Sequence, residues 1–144
     1  MMEKNVEKQE RYTVLKTRRK RALAGGFWLE ACMIEYAIME DRTSSILYYG
    51  KVCKDPYSVK KMLRNKLNAI DTQIGKKHPI LSKKVDRALI AEIGAWIENR
   101  NDMVHRACTL YDEDAAKELA EWGKLLSDRL DNASKRVRNA AEKA

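Results

Sequence analysis

At 144 residues the chain suits one domain and leaves little room for a second catalytic module. A 44% hydrophobic and 35% charged composition argues against wholesale disorder, and scarce glycine (6) and proline (2) beside runs rich in Ala, Leu, Glu, Lys and Arg argue against a sandwich or barrel. The formal charge of +8 favours anionic partners, nucleic acid first.

Residues 3–21 are highly charged and end in Lys16-Thr17-Arg18-Arg19-Lys20-Arg21, with a weak apolar stripe at Val6, Tyr12 and Leu15. They read as a basic arm or frayed helix, and Gly25-Gly26 then loosens the chain. Phe27, Ala31, Ile34 and Ile38, with Trp28, Cys32, Met39 and Ile46 one column over, predict a first core helix to about Tyr49. Asp55-Pro56 supplies a cap and a first-turn proline for a second, whose stripe Val59, Leu63, Leu67, Ile70 and Ile74 runs to about Gly75. Lys76-Lys77-His78-Pro79 breaks it, and Ser82 is the expected cap of a third, with Leu89, Ile93, Trp96, Ile97, Val104 and Cys108 on its apolar face. Asp112-Glu113-Asp114 places negative charge at the start of a fourth, striped by Leu119, Trp122, Leu126, Leu130, Ala133 and Val137. The expected architecture is all-α: an antiparallel up-and-down four-helix bundle over residues 25–144, with the basic arm or helix, residues 1–24, packed alongside.

Charge is uneven along the chain, +5 over residues 1–24, +8 over 51–87 and −5 over 88–134, implying one basic and one acidic side. Cys32, Cys53 and Cys108 form an odd set without paired spacing, which suggests neither a disulfide framework nor a zinc site, and two histidines show no metal pattern. No metal or other cofactor is expected. The first residues lack an apolar core, and the most apolar stretch, residues 22–39, is interrupted by Glu30 and Glu35. The expectation is a cytoplasmic protein with neither signal peptide nor membrane span.

Some polar residues fall where only apolar ones belong. At about 100° per residue, Arg100 projects near the middle of the third helix's apolar face, with Asn101 and His105, four apart, together on its flank. Glu35 and Arg42 fall within the apolar sector of the first core helix. A guanidinium in a dry core is costly unless a carboxylate or phosphate meets it, so Arg100 needs an internal acid, for which Glu35 is nominated, or an external anion. Glu35, Arg42 and Arg100 can equally be structural, as a buried ion pair or the cover of a dimer interface.

Arg100-Asn101-Asp102-Met103-Val104-His105 resembles the signature of the HEPN family, small all-helical proteins of which many are ribonucleases: Arg, four to six residues, then His, with a polar residue such as Asn after the Arg. The family's motif also lies late in a long helix of a four-helix bundle. Some family toxins carry a tyrosine two positions after the histidine, where this chain has Ala107, so neutralisation by modification of that tyrosine is not expected.

The resemblance implies metal-independent cleavage of RNA by 2′-hydroxyl attack, possible service as a toxin or antiphage effector, and a homodimer whose two motifs face a shared cleft. His105 is then the proton-transfer group, Arg100 the phosphate fork, Asn101 the holder of the ring or a phosphate oxygen, and Glu35, preferred for its facing over the alternatives Glu40 and Asp41, the residue that orients Arg100 from another helix. An antitoxin or regulatory protein is a further implied partner. RNA affinity is expected from basic surfaces, with Arg18, Arg19, Lys20, Arg21, Lys60, Lys61 and Arg64 as candidates and Lys16, Lys66, Lys76, Lys77, Lys83 and Lys84 beside them. Any of these can instead be a plain solvated face. The competing function is a non-catalytic helical module that binds nucleic acid or a protein partner.

Overall fold

The computed structural model describes residues 2–54 and 62–143. Among them every regular element is α-helical: α1 (Met2–Gly25), α2 (Trp28–Tyr49), α3 (Leu63–Gly75), the single turn α4 (Leu81–Lys84), α5 (Arg87–Arg106) and α6 (Glu113–Lys143). No strand occurs among the described residues. Asp55, Pro56, Val59, Lys60 and Lys61, on which the expected start of the second helix and two RNA contacts rested, lie outside them.

The basic segment is one 24-residue helix, as its good helix formers favour. Its last turns join the core, with Ala22 and Arg19 buried. Gly25-Gly26 does not loosen the chain. Gly26, at φ +76°, closes the helix: the Phe27 amide donates to the Ala22 carbonyl at 2.8 Å and the Gly26 amide to that of Leu23 at 3.4 Å, the bonding of a Schellman turn. Phe27 then falls before α2 and is 62% exposed, outside the apolar stripe expected to include it.

α2 is the axis of the molecule. It packs on α1, α3 and, most extensively, α6. Five consecutive residues, Thr43 to Leu47, are buried. Such a run exceeds one helical turn, so protein surrounds the helix there. The Thr43 and Ser44 hydroxyls donate to carbonyls one turn back, Met39 and Glu40 at 2.8 and 3.0 Å, which keeps them satisfied inside. α6 turns a column of small residues, Ala116, Ala120, Gly123, Ser127 and Ser134, inward and so admits α2 closely. A Cβ on Gly123 would clash with Glu35 Oε1 and lie 2.8 Å from the Trp96 ring.

α3 ends as expected at the Lys76–Pro79 break. Lys77 takes the left-handed conformation, φ 60°, and the His78 amide donates to the Gln73 carbonyl at 3.0 Å. His78 pins the turn that follows: its Nδ1 accepts the Ile80 and Leu81 amides, both at 3.1 Å, and its Nε2 lies 2.8 Å from the Gly50 carbonyl. Nδ1 acting as acceptor places the proton on Nε2, which donates to that carbonyl.

Ser82 is not the cap of the long third helix. It lies within α4, and Asp86 caps α5 with its Oδ1 accepting the Ala88 amide at 2.9 Å. At the other end α5 stops at Arg106, leaving Val104 48% exposed and Cys108 exposed rather than on a buried stripe. Asp112 caps α6, accepting the Ala115 amide at 3.1 Å.

Trp96 is fully buried where α5 meets α6, and its indole N–H donates to the Leu119 carbonyl at 2.9 Å. Leu89, Ile93, Leu126, Leu130 and Ile70 complete the wall between α3, α5 and α6. Among the described residues no helix is long and apolar enough to cross a membrane.

Candidate functional site

The last two turns of α5 carry Arg100, Asn101 and His105. The apolar side of the helix draws the Arg100 stem inward, and the side chain is partly buried while Asn101 and His105 are exposed. The guanidinium carbon stands 4.3 Å over the centroid of the Tyr36 ring on α2, a cation–π stack. One Arg100 Nη donates to Asn101 Oδ1 at 3.0 Å. The Nε is buried without a hydrogen-bond partner, and among the described residues no carboxylate pairs with the guanidinium.

Glu35 is not the partner nominated for Arg100. It is fully buried, both of its oxygens lack hydrogen-bond partners, and it packs beneath Gly123 and beside Trp96. Adjacent positions on α2 point about 100° apart, so Glu35 faces α6 while Tyr36 faces Arg100. Burial pushes the Glu35 carboxyl up to about 9, against the pull of Arg19 and Lys124 and with Asp128 adding to the rise. Turned to α6 and without a hydrogen bond to Arg100, Glu35 does not orient that guanidinium. Cys32 is also sequestered, its thiol pushed up to about 12 by burial, with Glu35 adding and Arg100 opposing.

Tyr36 is the neighbour that the sequence reading missed. Its only signal was position: one residue past Glu35, it lies off the apolar stripe yet on the side of α2 toward α5.

The basic candidates separate by environment. Arg19 is removed from any RNA contact, because it is 5% exposed and donates to Ser127 Oγ at 2.7 Å and Asp128 Oδ1 at 2.8 Å. Arg18 is exposed and 3.9 Å from Glu30, and Lys20 and Arg21 are exposed. Arg64 is exposed with one Nη 3.3 Å from the Gly94 carbonyl and 3.5 Å from Glu98. Lys66 is buried and donates to the Glu40 carbonyl at 3.4 Å. Arg42 is partly buried against Asp41 and Asp131, over the Tyr12 ring.

A cavity of about 990 Å³ opens between the end of α5 and the start of α6, lined by Asp102, Met103, Arg106, Tyr111, Glu118 and Trp122 among others, but not by Arg100, Asn101 or His105. Of the six-residue motif, Asp102 and Met103 thus line this hollow, while Arg100, Asn101 and His105 stand beside it. Among the described residues no group of three or more His, Cys, Asp or Glu is placed to hold a metal ion. No family model, curated protein or solved structure matches the chain.

Proposed function

We propose that the chain is a metal-independent endoribonuclease of the HEPN type, in which Arg100, Asn101 and His105 act on the scissile phosphate. The observation that carries this reading is the state of Arg100: an arginine held on the apolar side of its helix by an aromatic ring, without any carboxylate to neutralise it among the described residues. A guanidinium so placed is a site for an anion from outside. On this reading α2, α3, α5 and α6 are the family's up-and-down bundle and α1 an added helix. Two copies pair through the motif face in the cytoplasm, with an antitoxin or regulatory protein as a further partner and service as a toxin or antiphage effector.

The chemistry follows from the residue types. The ribose 2′-hydroxyl attacks phosphorus and the bond to the 5′-oxygen breaks, leaving a 2′,3′-cyclic phosphate and a 5′-hydroxyl. His105, exposed on the last turn of α5, takes the attacking hydroxyl's proton or gives one to the leaving oxygen. The Arg100 fork, with Tyr36 behind it, meets the non-bridging oxygens as their charge grows. Asn101, already bonded to Arg100, sets the fork's angle. Glu35 has no part in the step.

The test is incubation of RNA with the protein in EDTA, beside the Arg100→Ala and His105→Ala variants, reading the ends of the products. Cleavage to cyclic phosphates by the parent and its loss in both variants is the expected result. Equal cleavage by all three rejects the assignment, and absence of cleavage with salt-sensitive binding leaves the non-catalytic module.

A further inference from the structure

A second feature is built where α1, α2 and α6 meet, none of which carries the motif. Lys8, Tyr12 and Lys16 stand at four-residue spacing on one face of α1, Arg42, Ser45 and Tyr49 along α2, and Asp131, Lys135 and Arg138 along α6. Together they line a groove of about 390 Å³. At 1.5 Å per residue its α1 wall, Lys8 to Lys16, is about 12 Å long, so the feature is a trough rather than a pit for one ion.

Its floor is Asp131, 4% exposed. Three cations converge on that carboxylate: Arg42 at 3.4 Å, Lys135 at 3.3 Å and Lys16 at 3.8 Å. One acid holds all three in place and neutralises only one. At the ends Lys8 meets Asp41 at 3.1 Å, and Arg138 meets Glu142 at 3.1 Å. Asp41 also pairs with Arg42, so among the described residues the trough holds more cations than acids. Lys16 and Lys135 remain 40% and 64% exposed at the side chain, free to turn toward an added anion.

The rings are engaged by cations rather than open to bases. Arg42 and Lys16 lie 4.5 and 5.4 Å from the Tyr12 centroid, and Arg138 lies 5.6 Å from that of Tyr49. Such a surface offers charge and hydroxyls along a line and no platform for base stacking, which is how a chain of phosphates is held without regard to sequence.

We infer that the trough between α1, α2 and α6 is a track for the phosphodiester backbone of an RNA strand, with Lys16, Arg42 and Lys135 as its phosphate contacts. The choice of RNA as the strand rests on the function proposed above. Asp131 is a positioning residue that keeps the three cations aimed into the trough.

Binding is measured with a fluorescent single-stranded 12-nucleotide RNA in EDTA, from 50 to 300 mM KCl, on the full-length His105→Ala protein so that the strand stays whole. Adding Lys16→Gln and Lys135→Gln is expected to weaken binding about tenfold and to flatten the plot of log K against log salt by about 1.4, two contacts at about 0.7 each. Lys135→Arg keeps the affinity, and Lys54→Gln with Lys117→Gln, exposed lysines outside the trough, leaves affinity and slope alone. Unchanged thermal melting of the trough variant shows that the loss is not unfolding. The inference is overturned if the trough variant keeps the parent slope, if the outlying pair loses as much, or if no salt-dependent binding occurs. The two readings fail separately: trough-dependent binding by a parent that never cuts removes the nuclease alone. Cleavage with unchanged KM by a trough variant retaining His105 removes the track alone.

Discussion

Glu35 makes the fold sensitive to pH in a way that one substitution isolates. Its carboxyl is fully buried without a hydrogen-bond partner, and burial moves it from 4.5 to about 9. Because the folded-state value lies above the unfolded one, the contribution to stability is fully present below pH 4.5 and is lost as pH rises toward 9. Between those limits the unfolded chain ionises the group freely and the folded chain keeps the proton, a loss of about 1.4 kcal/mol per pH unit. From pH 5 to pH 8 this amounts to about 4 kcal/mol, a large share of the roughly 5–15 kcal/mol that holds a domain together. Glu35→Gln keeps the shape and removes the titration, so its stability relative to the parent should rise by about 4 kcal/mol over that interval while the titrations of other groups cancel. Urea unfolding followed by tryptophan fluorescence reads this directly, since Trp96 is buried in the core. With a slope of about 2 kcal/mol per molar, the gap between the two midpoints should widen by about 2 M. An equal gap at pH 5 and pH 8 would refute the reasoning, because Glu35 would then bind its proton alike in both states.

Gly123→Ala pushes a Cβ against Glu35 and Trp96 and should lower stability by about 1–3 kcal/mol in thermal melts, a penalty that shrinks when Glu35→Ala empties the space. Arg19→Met removes the donor to Ser127 Oγ and one of the two donors to Asp128, Lys124 being the other, and should cost about 1–2 kcal/mol by urea unfolding, the lower figures applying because Asp128 reaches solvent and keeps Lys124. Tyr36→Leu removes the ring behind Arg100, and the rate of RNA cleavage should fall about 2- to 30-fold, corresponding to about 0.5–2 kcal/mol, whereas Tyr36→Phe keeps it. A Leu variant that cuts at the parent rate would show that the stack does not hold the fork.

Where the chain becomes helical was legible because the signals are local. The end of α2 at Tyr49 follows its apolar period, the Lys76–Pro79 break follows from residues that cannot continue a helix, and Asp112 was chemically suited to cap α6. The start of α5 was misread because Ser82 and Asp86 are both cap residues. His78 and the buried Leu81 form a separate turn first, through contacts with the distant Gly50 carbonyl and the core. At the motif, facing correctly drew Arg100 toward the interior but named the wrong companion. Two side chains on separate apolar faces meet only if their helices present them to each other, and the rotation of α2 gives Glu35 to α6 and Tyr36 to α5.

The order of residues along the chain was enough for an all-helical protein with a basic excess, a motif late in one helix and an unusual acid in another, because periodicity, capping and charge are properties of short segments. Which charges are spent inside and which remain for a partner was settled by packing. Arg18, Arg19, Lys20 and Arg21 look alike in a row, yet Arg19 alone among them turns beneath α6 to Ser127. Lys16, Arg42 and Lys135 are far apart in sequence and share one carboxylate. Burial and convergence arise from the meeting of three helices, and no segment carries that information alone.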